Sequence, residues 1–439
     1  MSIFSYFTPT HAARFIAAVR QDGWRSASRR TWYYLRLAFS GGGRSALTPP
    51  KRQGKPQPGP HYLAPFWRDM AKAQAFGVAR PAIATTRPRI AMIGDLNLAQ
   101  CRKYRITQLA EFWAAQDVEY HFASQQDVPR ATELLQRASH VMFYRTSASA
   151  QMSMYLYEAR RLGLPVAYDL DDPLFSVPAY ATYANMTALP DRMQTHFLAQ
   201  APGYLDAMNL ADIVTLATPG LIRHAASLTA RPLLLRRNFA DAETLAAGAA
   251  ARRQTKADPG RFRVVFASGS DGHEVDFDTI APMLETFLSA SETRELIILG
   301  RFDPARLSQA LRARTRLYPF ADYAQYLGLL AQADCAVMPL VDDLFNSCKS
   351  GVRVIDAASV ARPSLVAEVG DLPELVQPGR TGQVIATGGD WLGALEAMAA
   401  DPAATAQMGQ AARADLETRW RASGQAHIAD PALIDWARA

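Results

Sequence analysis

Three charged residues recur at helical spacing in one short stretch, and their types suit a phosphate-bearing ligand. The stretch FNSCKSGVRVID follows an apolar run that predicts a buried strand, and it places Lys349, Arg353 and Asp356 four and three residues apart. Residues at these spacings share one helix face. A helix start offers unpaired N–H groups to an anion, and Lys349 adds a formal charge there. The pattern predicts phosphates at the helix start and ribose hydroxyls at Asp356, with a solvated row of charges as the alternative.

Small residues after another predicted strand indicate the same kind of ligand. The turn ASGSDGH contains Ser268, Gly269, Ser270 and His273. Glycine and small polar residues let backbone amides approach a phosphate closely. A lone loop histidine is more often structural than catalytic, so His273 is expected at most to contact the ligand.

Acidic and basic residues also follow predicted strands in the first half of the chain. The segment YDLDD supplies Asp169, Asp171 and Asp172. Strand ends of a parallel sheet open towards a cleft, so these carboxylates are expected to face the cleft and bind hydroxyls of a ligand there. Divalent-metal binding and loop capping are the alternatives. Arg105 and Arg145 are expected to meet acceptor or donor phosphates, or to form salt bridges on helix faces.

Apolar, β-branched runs alternate with helical stretches from residue 88 onward and position these groups. This patterning is typical of parallel sheets covered by helices on both faces, and it occurs twice. The sequence therefore predicts an α/β protein with two tandem Rossmann-like domains facing across a cleft. The predicted boundaries are 1–87 for a basic amphipathic segment and linker, 88–240 for an acceptor domain, 241–260 for a connector, 261–415 for a donor domain, and 416–439 for closing helices.

Composition narrows the functional classes. The 439 residues are 49% hydrophobic, without an uninterrupted apolar run that would span a bilayer, and the three cysteines are scattered. Neither a disulfide framework nor a zinc site is expected, and a cytoplasmic location fits. The turn GDLNLAQ lacks GxGxxG, which argues against a dinucleotide oxidoreductase, and no GxxxxGK[ST], GxSxG or HExxH motif occurs.

The positive charge is concentrated at the N-terminus. Residues 1–55 hold ten Lys or Arg against one acid, a net charge of +9, whereas the remaining residues carry −3 of the total +6. Aromatic and aliphatic residues are interleaved with these arginines, as in helices that lie on anionic membranes. The segment is therefore a candidate for peripheral attachment to the inner face of the cytoplasmic membrane. A helix packed on the protein body and a disordered arm are the alternatives, and no nucleic-acid partner is expected.

Several motifs in order resemble the donor-binding domain of glycosyltransferase family 4, especially members that build bacterial surface polysaccharides such as O-antigen. The motifs are SGSDGHEVDF, LGRF, FNSCKSGVRVIDAA and PGRTG. The family pattern Phe-Asn-x-x-Lys-Ser-x-x-Lys-x-x-Glu is matched by Phe345, Asn346, Lys349, Ser350, Arg353 and Asp356. The likeness covers 260–415 well and 88–240 more loosely. Arg353 replaces a usual Lys, and Cys348 and Asp356 replace two glutamates of the broader family.

The resemblance implies the two-domain GT-B arrangement and transfer of a sugar, with retention, from a nucleotide diphosphate sugar to a hydroxyl of a glycan or lipid-linked glycan. It implies neither a bound metal nor a cofactor. Lys349 and Arg301 are expected to stabilise the leaving diphosphate. The donor-binding set is Ser268, Gly269, Ser270, His273, Asn346, Ser350, Gly351, Arg353 and Asp356. A sugar-nucleotide epimerase and a non-catalytic scaffold subunit of a polysaccharide assembly system are the rival functions.

Overall fold

A computed structural model describes residues 87–255, 258, 260–269, 273–422 and 425–439, together with scattered residues between 12 and 32. The chain divides into two compact units, Met1–Phe76 and Gly77–Ala439. Most of the predicted basic segment and linker, and Ser270 of the predicted donor site, lie outside the described residues.

The described residues of the first unit are largely helical and present apolar side chains to solvent. Ile16, Trp24 and Trp32 are 52%, 65% and 71% exposed. Gly23 has φ +78°, a left-handed conformation that interrupts the helical run. The rings of Phe15 and Trp24 meet edge to face, with centroids 5.5 Å apart. Apolar area is therefore exposed on the described residues of this unit.

The first Rossmann-like domain is built on a fully parallel sheet, which in the described residues has six strands in the order β2-β1-β3-β4-β5-β6. β3 and β4 are buried along their whole length, which explains their mostly apolar sequences. The strands are β1 (Arg89–Gly94), β2 (Glu119–Ser124), β3 (His140–Tyr144), β4 (Val166–Leu170), β5 (Ile213–Leu216) and β6 (Leu233–Leu235).

Helices cover both faces of this sheet, and most begin at a side chain that caps free N–H groups, such as Ser149 or Thr218. The helices are α1 (Ala99–Cys101), α2 (Leu109–Ala114), α3 (Val128–Arg137), α4 (Ala150–Arg161), α5 (Val177–Thr182), α6 (Asp191–Asn209) and α7 (Pro219–Ala225). A π-helical turn, Arg102–Thr107, joins α1 to α2, and a 3₁₀ turn, Ala184–Ala188, precedes α6.

The second domain repeats the architecture, with described strands in the order β12-β11-β10-β7-β8-β9, again all parallel. Its strands are β7 (Phe262–Gly269), β8 (Arg294–Gly300), β9 (Thr315–Tyr318), β10 (Cys335–Met338), β11 (Ser364–Ala367) and β12 (Gly382–Ile385). The sequence pattern predicts the first five and misses β12. The α/β prediction of two Rossmann-like domains is confirmed.

Helices surround the second sheet in the same way. They are α8 (Ala242–Gln254), α9 (Glu274–Asp278), α10 (Ala281–Ser289), α11 (Gln309–Ala313), α12 (Tyr323–Leu330), α13 (Val352–Ser359), α14 (Leu372–Leu375), α15 (Trp391–Ala400), α16 (Pro402–Arg419) and α17 (Pro431–Arg438). Short 3₁₀ turns span Pro304–Arg306 and Asn346–Cys348. The segment predicted as a connector thus contains α8, which packs on α12 and α13.

The chain crosses between the domains twice, and the two crossing segments are hydrogen-bonded to each other. The first crossing, 236–241, leaves β6, and the second, 420–430, leads to α17. The Ala240 amide donates to the Trp420 carbonyl at 2.7 Å, and the Arg237 amide to that of Ile428 at 2.7 Å. The Arg237 guanidinium also pairs with Asp371 of the second domain through two nitrogens, at 2.9 and 2.8 Å. This buried pair joins the domains beside the crossing.

Candidate functional site

A cavity of about 560 Å³ lies between the two domains and is lined by both. The first domain contributes the loop after β1, the π-helical turn, and residues that follow β3, β4 and β6. The second contributes the ends of β7 and β8, the loop after β9, and the start of α13. In both sheets the strand order reverses near the first strand, at β1/β3 and at β7/β10. Ligands of open α/β sheets bind at such switch points, so the fold itself selects this cavity as the candidate site.

Lys349 projects into the cavity between aromatic rings. Its Nζ donates to the Tyr183 hydroxyl at 2.8 Å and lies 4.7 Å from the centroid of that ring, with the Phe345 ring 5.7 Å away. Burial lowers the pKa of Lys349 from 10.5 to about 8, against the opposing effect of the Asp276 and Asp172 carboxylates. The site therefore holds a cation that titrates near neutral pH.

The turn that carries Lys349 is held rigidly from both domains. Asn346 is fully buried, and its Nδ2 donates to the Asp276 carboxylate at 3.1 Å and to the Val341 carbonyl at 2.9 Å. Across the domain boundary, the Thr218 hydroxyl donates to the Cys348 carbonyl at 2.8 Å. Gly220, two residues after Thr218, packs so closely on the turn that a Cβ at this position would overlap the Ser347 carbonyl oxygen. Asn346, predicted to bind donor, thus builds the turn and does not line the cavity.

Arg353 and His273 form a second polar group on the donor side. Arg353 donates from Nη1 to the Ala267 carbonyl at 2.9 Å, and its Nη2 lies 3.2 Å from the ring nitrogens of His273. The His273 Nδ1 is 3.0 Å from Asp276. Burial, together with the Lys349 and Arg353 cations, lowers the pKa of His273 to about 3. His273 is therefore neutral at physiological pH, with Nδ1–H donated to Asp276.

Asp356 lines the cavity, but its carboxylate already accepts hydrogen bonds from tyrosine hydroxyls. Its Oδ1 accepts hydrogen bonds from the hydroxyls of Tyr323, at 2.7 Å, and of Tyr104, which belongs to the first domain. Burial raises the pKa of Asp356 from 3.8 to about 6. Lys103, next to Tyr104 in the π-helical turn, places its Nζ 4.4 Å above the Tyr323 ring. The acid predicted to bind ribose is thus the centre of an inter-domain tyrosine cluster.

Two of the residues predicted on the acceptor side do not reach the cavity. Arg105 and Asp169 are fully buried and form an ion pair, with Arg105 Nη2 at 2.5 Å from Asp169 Oδ1. Asp169 belongs to β4 itself, so its side chain points into the domain and cannot meet an acceptor. Arg105 lies in the π-helical turn and points the same way. The expectation that this pair contacts ligand phosphates or hydroxyls is corrected accordingly.

Arg145, Asp171 and Asp172 do line the cavity, as expected. Arg145 Nη1 is 3.3 Å from Asp171 and 3.6 Å from Asp172. Arg145 has φ +51°, a strained conformation for a residue with a side chain, and such strain is often found at functional sites. Burial and the neighbouring Asp171 raise the pKa of Asp172. Among the described residues, no group of three His, Cys, Asp or Glu side chains is arranged to hold a metal ion.

Some of the remaining predicted residues line the cavity, and others lie behind its wall. Ser268, Gly269 and Ser350 line the cavity. Gly351 lies just behind Ser350 as the N-cap of α13, where a Cβ would press on Leu375. Arg301 is exposed and outside the cavity wall, although its backbone carbonyl accepts the Ser268 hydroxyl at 2.6 Å.

Five further residues of the site were not predicted from the sequence. Tyr104 and Lys103 belong to LNLAQCRKYRI, which the resemblance includes without giving its tyrosine a role. Tyr323 belongs to LYPFADYAQYLGLLAQADCAVMPL, which the resemblance also includes without giving this tyrosine a role, and Tyr183 lies in a segment with no motif. The remaining residue, Asn238, ends the RRN sequence after β6, lines the cavity and donates from Nδ2 to the Ser350 hydroxyl oxygen at 2.9 Å.

Comparison with known proteins agrees with this geometry. Residues 261–401 match the family described as glycosyl transferases group 1. No curated protein matches the sequence. Sucrose-phosphate synthase from Thermosynechococcus elongatus is similar in structure, at 16% identity over 76% of this chain and 95% of that one, with a TM-score of 0.51.

Two further solved structures are similar over the same extent. WaaG, a glycosyltransferase involved in lipopolysaccharide biosynthesis, is 12% identical over 75% of this chain and 95% of its own, with a TM-score of 0.51. HepE of Anabaena in complex with UDP and glucose is 14% identical over 76% and 96%, with a TM-score of 0.50. The fold is thus the two-domain GT-B arrangement, as predicted, and residues 261–401 match a glycosyl transferases group 1 domain. The narrower assignment to family 4 stays a prediction.

Proposed function

We propose that the protein transfers a sugar, with retention, from a nucleotide diphosphate sugar to a hydroxyl of a glycan or lipid-linked glycan. The observation that carries the proposal is the shared cavity, which is lined by Lys349 and Arg353 from one domain and by Asp171 and Asp172, paired with Arg145, from the other. Such a division suits a reaction that joins an anionic donor to a hydroxyl-rich acceptor.

The donor diphosphate is assigned to the start of α13. Lys349 and the Ser350 hydroxyl stand there, and Ser268 and Gly269 line the same cavity, so growing negative charge on the leaving diphosphate meets a hydroxyl donor and a cation. The positive charge that stabilises the leaving diphosphate can come from protein side chains, and we propose that no bound metal ion is needed. Activity retained in excess chelator would support this, and activity restored only by a divalent cation would contradict it.

The acceptor is assigned to the first domain, near Asp171 and Asp172. Carboxylates bind sugar hydroxyls as hydrogen-bond acceptors, and the ion pair with Arg145 fixes their orientation. Retention is proposed from the likeness of the 345–356 pattern to family 4 members. The anomeric proton coupling of the product, recorded by NMR before mutarotation, distinguishes retention from inversion.

Attachment to an anionic membrane is proposed for the N-terminal unit, which places the enzyme at the inner face of the cytoplasmic membrane. The net charge of +9 in residues 1–55 and the exposed Ile16, Trp24 and Trp32 support it. Within the described residues, no helix is both long and apolar enough to cross a bilayer. Co-sedimentation with vesicles containing phosphatidylglycerol, but not with neutral vesicles, is expected, and it should fall in Trp24→Ala/Trp32→Ala. Equal recovery after deletion of 1–55 would contradict the proposal.

The deciding experiment is calorimetric titration of UDP, GDP, dTDP and CDP into the wild-type protein and Lys349→Ala. Selective binding of one diphosphate, weakened in the variant, is expected. Arg312→Ala is the matched control, because Arg312 is an exposed cation outside the cavity. Failure of all four nucleotides to bind would contradict a transferase. Binding without sugar transfer to any acceptor would favour a scaffold subunit, and release of altered free sugar an epimerase.

A further inference from the structure

We propose that Asn238 is a positioning residue that turns the hydroxyl proton of Ser350 towards the donor diphosphate. A buried ion cluster behind Asn238 fixes the orientation of its amide. The inference rests on the proposed function, since it assigns a role within the same donor site. Its evidence is the order of donors and acceptors along one chain of hydrogen bonds.

The cluster behind Asn238 consists of two arginines and one aspartate, all at most 1% exposed. Arg105 donates to both carboxylate oxygens of Asp169, at 2.5 and 3.1 Å. Arg236 also donates to both oxygens, at 2.6 and 3.2 Å. The Thr215 hydroxyl adds a bond of 2.5 Å to the same carboxylate. Two cations against one anion leave the cluster with one excess positive charge.

The Arg105 guanidinium decides which way the Asn238 amide lies. Arg105 Nη1 is 3.1 Å from Asn238 Oδ1. A guanidinium has donors and no acceptor, so only the oxygen end of the amide can face it. The nitrogen end must then face the other way, and it lies 2.9 Å from the Ser350 hydroxyl oxygen across the domain boundary.

The same reasoning continues to Ser350. Because the Asn238 nitrogen can only donate, the Ser350 oxygen accepts and its own proton is not used in this bond. In the described part of the chain, this is the single hydrogen bond recorded for the Ser350 hydroxyl. Both residues line the cavity, and Lys349 directly precedes Ser350. The proton is thus available to an anionic oxygen bound beside the Lys349 cation, as a charge-assisted O–H···O⁻ bond.

Replacing Asn238 by aspartate tests this order of donors and acceptors with almost no change of shape. Asn238→Asp removes the donated bond, so the Ser350 proton turns back to the new carboxylate and is lost to the ligand. The new charge also neutralises the excess positive charge of the cluster. Nucleoside diphosphate affinity should therefore fall about ten- to hundredfold, as expected for loss of a hydrogen bond to a charged group. The unfolding temperature should stay the same or rise.

Ser350→Ala and the double variant show whether Asn238 acts through Ser350. Ser350→Ala should lose about tenfold in affinity. In that background, Asn238→Asp should cost less than about threefold, because non-additivity marks residues that act as a unit. Asn97→Asp is the matched control for added charge, since Asn97 is exposed on the loop whose Leu98 lines the cavity. It should bind like the wild type.

The probe is the nucleoside diphosphate that the wild-type protein binds among UDP, GDP, dTDP and CDP. Unchanged affinity in Asn238→Asp or in Ser350→Ala overturns the inference and leaves the proposed function standing. An undiminished effect of Asn238→Asp in the Ser350→Ala background overturns it as well, because that result means repulsion through space. No binding by the wild-type protein overturns the proposed function and this inference with it.

Discussion

The titration of Lys349 gives the donor site a pH dependence of known sign. Burial lowers its pKa to about 8, so the cation is present below this pH and is lost as the pH rises through it. If only the protonated form attracts a diphosphate, affinity follows the protonated fraction, which falls from about 0.9 at pH 7 to about 0.1 at pH 9. The dissociation constant of the nucleoside diphosphate should therefore rise about tenfold over this range.

Two variants and one further measurement separate Lys349 from other titrating groups. Lys349→Arg stays charged, so its affinity for the nucleoside diphosphate should change little from pH 7 to 9. Lys349→Met should bind the nucleoside diphosphate weakly, and this affinity should not depend on pH. Because a bound diphosphate raises the pKa of Lys349, the wild type should also take up about half a proton at pH 8. Calorimetry in buffers of different ionisation enthalpy measures that uptake. A wild-type affinity that does not change between pH 7 and 9 would refute the reasoning, and so would an equal slope in Lys349→Arg.

The remaining predictions concern stability as well as binding. Asp356→Asn should unfold no more easily than the wild type at pH 7 in thermal melts, because burial raises the pKa of Asp356 to about 6 and ionising it opposes folding. Any gain in stability of Asp356→Asn over the wild type should shrink as the pH falls from 6 towards 3.8. A melting temperature of the variant below that of the wild type at pH 7 would contradict the prediction. Gly220→Ala should destabilise by about 1–3 kcal/mol and weaken binding, because its Cβ overlaps the Ser347 carbonyl. Gly328→Ala in α12, which meets nothing within 4 Å, should instead stabilise by about 0.5–1 kcal/mol in urea unfolding.

Much of the fold could be predicted because its strands are continuous apolar runs. β3 and β4 are buried on both faces, so every residue had to be compatible with the core. β12 (Gly382–Ile385) was missed because it has four residues, begins with glycine, and is only partly buried after Gly382. Such a strand carries little signal beyond the turn that precedes it.

The candidate site was predicted best where it is local in sequence. Lys349, Ser350, Arg353 and Asp356 reach the cavity because one turn and the first helical turn after it place all four. Asp169 was misplaced because it is the fourth residue of β4 (Val166–Leu170) and not part of the loop that follows the strand. A small error at a strand end decides whether a side chain lies in the sheet or in the cleft.

The tyrosines of the site could not have been found from sequence patterns. Tyr104 meets Asp356 across 252 residues of chain, and Tyr183 meets Lys349 across 166. Both contacts depend on how one domain faces the other, and neither segment carries a local pattern that encodes this. Asn238 is similar, because its role follows from the charges behind it and from a serine of the other domain.

The paired chain crossings have a mechanical consequence for catalysis. A single flexible tether would leave two domains free to twist and slide, and each capture of a donor would have to freeze all of those motions. Here the two crossing segments are hydrogen-bonded side by side, at Ala240–Trp420 and at Arg237–Ile428, so twisting or sliding of one domain against the other has to break these bonds. The entropic cost of aligning Ser350 with Asn238 is therefore smaller than it would be for two domains on a single flexible tether.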